Sequence, residues 1–318
     1  MTINVVNVSI IVPAYNESDY IEACLTSLLS IDYPKERLEI IVVDNGSSDD
    51  TVEKARSFPV KVVEKTSGKV GSVRNYGVGQ SSGEVIAFID SDCVANKDWL
   101  KASLIKLSSD TVGAVGGACM LRENPNWVES AWIINSFPRE GVANILAGSS
   151  MIMSRETFLS AGKFDEKINA GEDTKLSEAI KDLGLSLEWI SEAAVIHLGY
   201  PRTVLSFSKR EFWQASSFLQ SNTGFLKDKT FVLITVYLIS LLIFPFSLFM
   251  SGVLPVVLVG FLLLIPLLFS LKRIYRYKVR WLVVGAKKLL QIYSLDNIYC
   301  LSRALGLLVS IFHDPYKR

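Results

Sequence analysis

The chain of 318 residues has only four cysteines, too few to staple so much protein, so a disulfide scaffold is excluded and the thiols are read as reduced. Hydrophobic residues make up 49% of it, which excludes a disordered chain, and no glycine period suggests a fibrous repeat. A dinucleotide fingerprint GxGxxG is missing after the first apolar run, where Pro13-Ala14-Tyr15-Asn16-Glu17 stands instead. A GxxxxGK[ST] phosphate loop is missing as well. Nicotinamide-dependent dehydrogenases and P-loop nucleotidases are therefore excluded. The N-terminus lacks a basic segment followed by an apolar run and a small-residue cleavage site, so the front of the chain is expected to stay in the cytosol.

Acidic charge is scarce at the end of the chain. Before Lys227 there are 21 basic and 29 acidic residues; from Lys227 onward there are 12 basic and 3 acidic. The acidic front part disfavours nucleic acid as a partner. From Thr230 to Leu271 no Asp, Glu, Lys, Arg or His occurs. A bilayer crossing needs about 20 apolar residues, so this stretch predicts two crossings, with the turn near Ser251-Gly252. Lys227 and Lys229 precede it and Lys272, Arg273, Arg276, Lys278 and Arg280 follow it, which places both flanks on the cytoplasmic side. Pro245, Pro255 and Pro266 are potential kinks, and so short a turn also suits a re-entrant hairpin. Trp281 to Phe312 mixes an apolar face with Lys287, Lys288 and Arg303, which predicts a helix in the membrane interface. A third crossing from Ile298 is the alternative, against which Asp296 and Arg303 weigh. The expected organisation is a cytosolic domain over 1–226, divided near residue 92, a hairpin over 227–280 and an interfacial segment over 281–318.

The front part alternates strand and helix patterns. Val8 to Pro13 is a buried-strand run, and Ile21, Cys24, Leu25, Leu28 and Leu29 share one helical face. Leu38 to Val43, Val60 to Val63 and Glu84 to Ile89 read as further strands with helices between them, which predicts an α/β fold with a parallel sheet covered on both faces. Ligands of such sheets sit beyond the carboxyl ends of the strands, and those ends carry Pro13 to Glu17, Asp44 to Ser48, and Asp90-Ser91-Asp92. Residues two apart on an extended chain face the same side, so Asp90 and Asp92 can reach a common hard cation such as Mg²⁺ or Mn²⁺. An acidic surface turn is the bland reading of the same residues.

Five segments carry a resemblance: VSIIVPAYNE (Val8 to Glu17), VVDNGSSDDT (Val42 to Thr51), the GxxRNxG stretch Gly71 to Gly77, FIDSDC (Phe88 to Cys93) and AGEDTKLS (Ala170 to Ser177). In this order they resemble the motifs of the family 2 glycosyltransferases, inverting enzymes with the Rossmann-like GT-A nucleotide-sugar-binding fold. The similarity runs from about Val8 to Arg210.

The resemblance implies roles residue by residue. Pro13, Tyr15, Glu17 and Asp44 fall where the family holds nucleobase and ribose, and Lys69 and Arg74 near base and phosphates. Asp90, Ser91 and Asp92 fall at the metal and diphosphate positions, and Gly148 begins the loop beside the donor sugar. Asp173 matches the general base, with Glu172 beside it, and His197 stands where members place a metal- or phosphate-contacting His. Taking a proton from an acceptor hydroxyl, opposite the leaving diphosphate, needs a carboxylate. A carboxylate at a helix start is also stabilised without catalysis, so Asp173 as a cap stays open. His197 as a hydrogen-bonded core residue stays open too. Arg202, Lys209 and Arg210 suit a diphosphate, a lipid phosphate or anionic headgroups. Trp99 suits an acceptor wall or a packed helix. Cys93 reads as a small buried residue.

The implied activity is transfer of one sugar from a nucleotide-diphosphate sugar, UDP-sugar favoured, to a membrane lipid or lipid-linked saccharide in cell-envelope glycan synthesis, with Mn²⁺ or Mg²⁺ as cofactor. Polyprenyl phosphate is the alternative acceptor. The QxxRW motif of processive synthases is replaced by Arg210-Glu-Phe-Trp-Gln214. A silent nucleotide-sugar-binding scaffold would have no use for Asp90, Asp92 and Asp173 together.

Overall fold

The computed structural model describes residues 6–134, 137–168, 170–221, 228–250, 252–276 and 285–312. The chain divides into two compact units, Met1–Arg122 with Ser136–Gly199, and Glu123–Asn135 with Tyr200–Arg318.

In the first unit β1 (Val8–Ala14), β2 (Leu38–Asp44), β3 (Lys61–Glu64) and β4 (Val85–Ile89) pair in parallel, in the order β3-β2-β1-β4. Their side chains alternate between two cores. Ile10, Val12, Ile40, Val42, Ala87 and Ile89 face α1 (Ile21–Leu29) and α4 (Trp99–Leu107), while Ile11, Ile41, Val43, Ile86 and Phe88 face the opposite core. That second core also takes Val73 and Val78 of α3 (Val70–Gly79), Phe158 of α6 (Arg155–Ser160) and Leu176 and Ile180 of α7 (Glu172–Asp182). Burial on both faces explains why these strands read as continuous apolar runs. α3 lies so close to the sheet that a Cβ on Gly77 would stand 2.5 Å from Ile11 and 2.8 Å from Val43. The second glycine of GxxRNxG is a packing requirement.

The sheet is not wholly parallel. β9 (Ser150–Ser154) runs antiparallel between β4 and β6 (Val112–Gly116); β10 (Ser186–Trp189) and a short antiparallel β8 (Gly141–Val142) complete the eight strands. A second sheet joins β5 (Cys93–Ala95), β11 (Val195–His197) and β7 (Cys119–Met120). Apolar periodicity marks a strand without giving its direction, which is why the reversal was not expected. Because β2 lies on one side of β1 and β4 on the other, the carboxyl ends of β1 and β4 form the switch point at which open sheets bind ligands.

The second unit is helical: α5 (Trp127–Trp132), α8 (Val204–Ser221), α9 (Lys229–Ser247), α10 (Leu254–Arg276) and α11 (Ala286–Phe312). α9 and α10 are long and apolar enough to cross a membrane, and only 28% of each apolar window is buried. Leu242, Phe246, Val256, Leu263 and Leu264 are exposed, which sets the pair apart from core helices of a soluble protein. Pro245 and Pro266 lie inside α9 and α10. Ser251 of the expected turn, Lys227, and residues 277–284, with Lys278 and Arg280, lie outside the described residues.

Two expectations change here. The fold divides at residues 123–135 and 200 rather than near Leu226, because α5 and α8 pack with the later helices. The loss of acidic charge marks the start of the apolar helices and not a boundary between folding units. α11, expected as a membrane-interface helix, packs along α8 within the helical unit. Its Asp296 is buried against Arg273 and Ser270, and its Arg303 pairs with buried Glu211 at 2.9 Å, so the charges that argued against an apolar setting are neutralised inside the bundle.

Candidate active site

Three strand ends meet at the switch point. After β1 the chain turns through Asn16, held at φ 54°, a conformation that Asn tolerates better than most residues. The loop after β2 is fastened to it: Asn16 N–H donates to Ser47 Oγ (2.9 Å), Ser48 N–H to Asn16 Oδ1 (2.8 Å) and Glu17 N–H to Thr51 Oγ1 (2.7 Å). Asp44 is buried, and its Oδ2 accepts from the N–H groups of Gly46 (2.9 Å) and Ser47 (3.0 Å). Its Oδ1 is buried without a hydrogen-bond partner among the described residues, as is Asn45 Oδ1. Two buried acceptors left open are costly unless a ligand donates to them.

A cleft is lined by Pro13, Tyr15, Glu17, Asn45, Asp90 and Asp92, with Ser91 also on its wall. Tyr15 presents an exposed ring there. Among the described residues, Arg74 is paired with Asp90 and the His197 imidazole lies beside Asp92. Burial, reinforced by the Asp92 and Asp90 carboxylates, pushes the Glu17 carboxyl up to about 8. Burial also raises the Asp92 carboxyl, while the His197 imidazole opposes that rise.

Arg74, buried in α3, ties the motifs together. Its Nη2 donates to Asp90 Oδ1 (2.7 Å) and its Nη1 to Glu172 Oε1 (2.6 Å). Gly148 lies against the guanidinium, and a Cβ there would stand 2.8 Å from Arg74 Cζ. Asp173, the next residue after Glu172 at the start of α7, accepts from Gly148 N–H (3.3 Å) and Thr174 N–H (2.7 Å). Asp90, Arg74, Glu172, Asp173 and Gly148 are thus one connected cluster. Glu172, expected beside the base, is buried and engaged with Arg74, and burial raises its carboxyl while Arg74 opposes the rise.

His197 reaches the same rim because β11 pairs antiparallel with β5, setting His197 opposite Cys93. Its Nε2 lies 3.5 Å from Asp92 Oδ2. Gly199 passes so close to the Asp92 carboxylate that a Cβ would collide with it. Ligand atoms of Asp92, Cys93 and His197 lie within 4.8 Å of one another. Burial raises the Cys93 thiol well above its ordinary range, so it stays protonated and is no ligand for a hard cation.

Other expected residues fall elsewhere. Lys69 does not line the cleft; its ammonium donates to the Lys167 carbonyl, while Val70 and Val73 of the same helix supply the wall. Trp99 is fully buried and its Nε1 donates to Ser150 Oγ (2.9 Å), so it packs α4 and is not an acceptor wall. Arg202, Lys209 and Arg210 belong to the helical unit. Arg210 donates to Glu211 (2.9 Å) and lies over the Trp132 ring, so its charge is committed to the protein rather than to a ligand. Asn45 and Gly199 were not expected as site residues; Asn45 adjoins Asp44 in its motif, whereas nothing in the sequence pairs Gly199 with Asp92.

A parallel sheet half with acidic and polar residues at its switch point, continued by an antiparallel strand, defines a ligand-binding α/β domain. The model of the family described as Glycosyl transferase family 2 matches residues 9–156. Glycosyltransferase AglE of Haloferax volcanii is 31% identical over 213 residues, covering 63% of this chain and 70% of its own. A dolichyl N-acetyl-alpha-D-glucosaminyl phosphate 3-beta-D-2,3-diacetamido-2,3-dideoxy-beta-D-glucuronosyltransferase of Methanococcus voltae is 28% identical over 279 residues, 81% of this chain and 83% of its own. Among solved structures, a mannosyltransferase of Pyrobaculum calidifontis in complex with GDP-Man and Mn²⁺ shares the fold, with a TM-score of 0.59 at 19% identity over 95% of this chain and 87% of that one. The chain belongs to the family 2 glycosyltransferases. It is a glycosyltransferase of the GT-A fold.

Proposed function

We propose that the enzyme transfers a single sugar, with inversion, from a nucleotide-diphosphate sugar to a membrane lipid or lipid-linked saccharide, in a divalent-cation-dependent reaction. The observation that carries this is the Arg74 bridge, which holds the acidic strand end of Asp90 and the carboxylate pair Glu172-Asp173 in one cluster. In this reading Tyr15 stacks on the base, and Asp44 Oδ1 and Asn45 Oδ1 accept from donors of the nucleoside. The buried carboxyl of Asp44 is held in place by its two backbone donors, so no reorganisation is needed on binding.

The residues fit a hard divalent cation: Asp92 and His197 offer converging ligand atoms, Asp90 keeps one oxygen beyond its Arg74 contact, and Glu17, lifted first by burial and further by the Asp92 and Asp90 carboxylates, lies where a cation would offset that repulsion. When bound, such a cation supplies charge neutralisation of a leaving diphosphate. Asp173 is the base, taking the proton of the acceptor hydroxyl while its other contacts, Gly148 N–H and Thr174 N–H, aim the carboxylate. Glu172 is a positioning residue. It holds Arg74, and Arg74 keeps Asp90 oriented.

The apolar faces of α9 and α10 support anchoring in a bilayer, and a tethered enzyme gains most when its acceptor is confined there. The relatives point the same way, since the Methanococcus enzyme bears the name of a dolichyl-linked acceptor. We place the catalytic domain on the cytoplasmic side, on the basic flanks of the hairpin. The test is incubation of the full chain in native lipid extract with UDP-, GDP- and dTDP-sugars and Mn²⁺. Consumption of one donor with label entering the lipid phase is expected; donor binding with no transfer to any lipid fraction overturns the reading in favour of a silent scaffold.

A further inference from the structure

The helical unit contains a cavity that shares no lining residue with the active-site cleft. It opens among Trp132, Thr230, Phe269, Lys272, Arg273 and Tyr299, with a volume of about 360 Å³. Thr230 is the second residue of α9, and Lys272 and Arg273 lie near the C-terminal end of α10, so the cavity is at the open end of the hairpin, away from its turn.

Its chemistry is cationic and aromatic. The Arg273 guanidinium lies 4.0 Å over the Trp132 ring, donates to the Trp132 carbonyl (3.2 Å) and pairs with buried Asp296, which Ser270 also bonds. Beside it, fully buried Glu211 is shared by Arg210 (2.9 Å) and Arg303 (2.9 Å), and Arg303 lies 4.7 Å over the Tyr299 ring. Each of these guanidiniums therefore has a carboxylate partner within the unit. Lys272 adds a further cation whose ammonium has no hydrogen-bond or acidic partner among the described residues. Exposed and without such a partner at the end of two apolar helices, the Lys272 ammonium is placed to meet an anion.

We infer that this cavity binds the phosphate group of an anionic membrane lipid. Lys272 is the cation left for the phosphate, Arg273 supplies charge from a position fixed by Asp296, and the Trp132 and Tyr299 rings border the less polar part of the headgroup. The inference rests on the proposed membrane reading of α9 and α10, because only there does the cavity lie at headgroup depth.

The test uses full-length protein in an uncharged detergent with phosphatidic acid, phosphatidylcholine and inorganic phosphate as probes, read by native mass spectrometry and by melting. Retention of one phosphatidic acid per chain is expected, with phosphatidylcholine and inorganic phosphate not retained. A single charged hydrogen bond is worth about 1.5–3 kcal/mol, so Lys272→Glu should weaken phosphatidic acid binding about ten-fold or more. Lys287→Glu, the same charge change at an exposed site outside the cavity, should leave binding unchanged. Equal loss in both variants means diffuse electrostatics and overturns the site; inorganic phosphate binding as tightly as the lipid overturns the lipid assignment. Flotation with neutral phosphatidylcholine vesicles separates the two readings. Failure to float overturns the membrane reading itself, whereas flotation without phosphatidic acid retention overturns only the cavity.

Discussion

Substituting the two adjacent carboxylates separately should give opposite results. Asp173→Asn keeps one acceptor oxygen for either Gly148 N–H or Thr174 N–H and loses the other bond, at a cost of about 1 kcal/mol. Loss of its charge near the start of α7 costs about 0.3–1 kcal/mol more. Removing a general base lowers the rate by about 10² to 10⁴, equivalent to roughly 2.7–5.4 kcal/mol in the barrier. Glu172→Gln is the converse case. It removes one carboxylate from a buried guanidinium at 2.6 Å, and breaking a buried pair costs up to about 3–5 kcal/mol. At about 2–4 °C per kcal/mol, Asp173→Asn should melt a few degrees lower with transfer nearly abolished and donor affinity kept. Glu172→Gln should lose two to three times as much in melting temperature. Melting curves, donor titration and transfer rate on the same preparations decide it. Near-normal transfer by Asp173→Asn refutes the base assignment and leaves Asp173 a helix cap; a stable but inactive Glu172→Gln refutes the positioning role of Glu172.

Further expectations concern the remaining motifs. Gly148→Ala should push the Arg74 guanidinium off its two carboxylates, destabilising by about 1–3 kcal/mol and cutting transfer more than ten-fold; unchanged melting and rate would refute the close approach. Asp92→Ala should abolish the Mn²⁺-dependent part of nucleoside diphosphate binding measured by calorimetry while the fold survives, and unchanged metal dependence would remove Asp92 from the site. Glu17 holds a proton in the folded state that it releases when unfolded, between about 4.5 and about 8, so the metal-free protein should lose stability as pH rises through that window. Glu17→Gln should flatten that slope in pH-dependent melting, and an unaltered slope would refute the assignment. Arg in place of Leu242 or Leu264, on exposed apolar faces, should each cost about 2.5–3.5 kcal/mol of insertion and release protein on carbonate extraction if the hairpin spans the bilayer.

Local pattern was enough to reveal the strands and their ends. Val8–Ala14, Leu38–Asp44 and Val85–Ile89 are apolar apart from Ser9, Glu39 and Asp44 because both faces of the sheet are covered, and burial of that kind shows in most residues of a short run. The charge-free stretch likewise announced α9 and α10, since apolar length is a property of adjacent residues. Pro13, Tyr15, Asp90 and Asp92 were legible because each stands at or just past the carboxyl end of a strand, where loops of an open α/β sheet gather. Long-range placement was not legible. That Arg74 joins Asp90 to Glu172 across 16 and 98 positions, that Asp296 is neutralised by Arg273, and that Trp99 points into the core and Lys69 away from the cleft depend on which helices face each other. The sequence by itself determined which residues would stand at the sheet's rim and which segment is apolar enough for a membrane. Only the tertiary structure decided which carboxylates are paired with a guanidinium, because a charge in a low-dielectric interior is governed by partners that are near in space and remote along the chain.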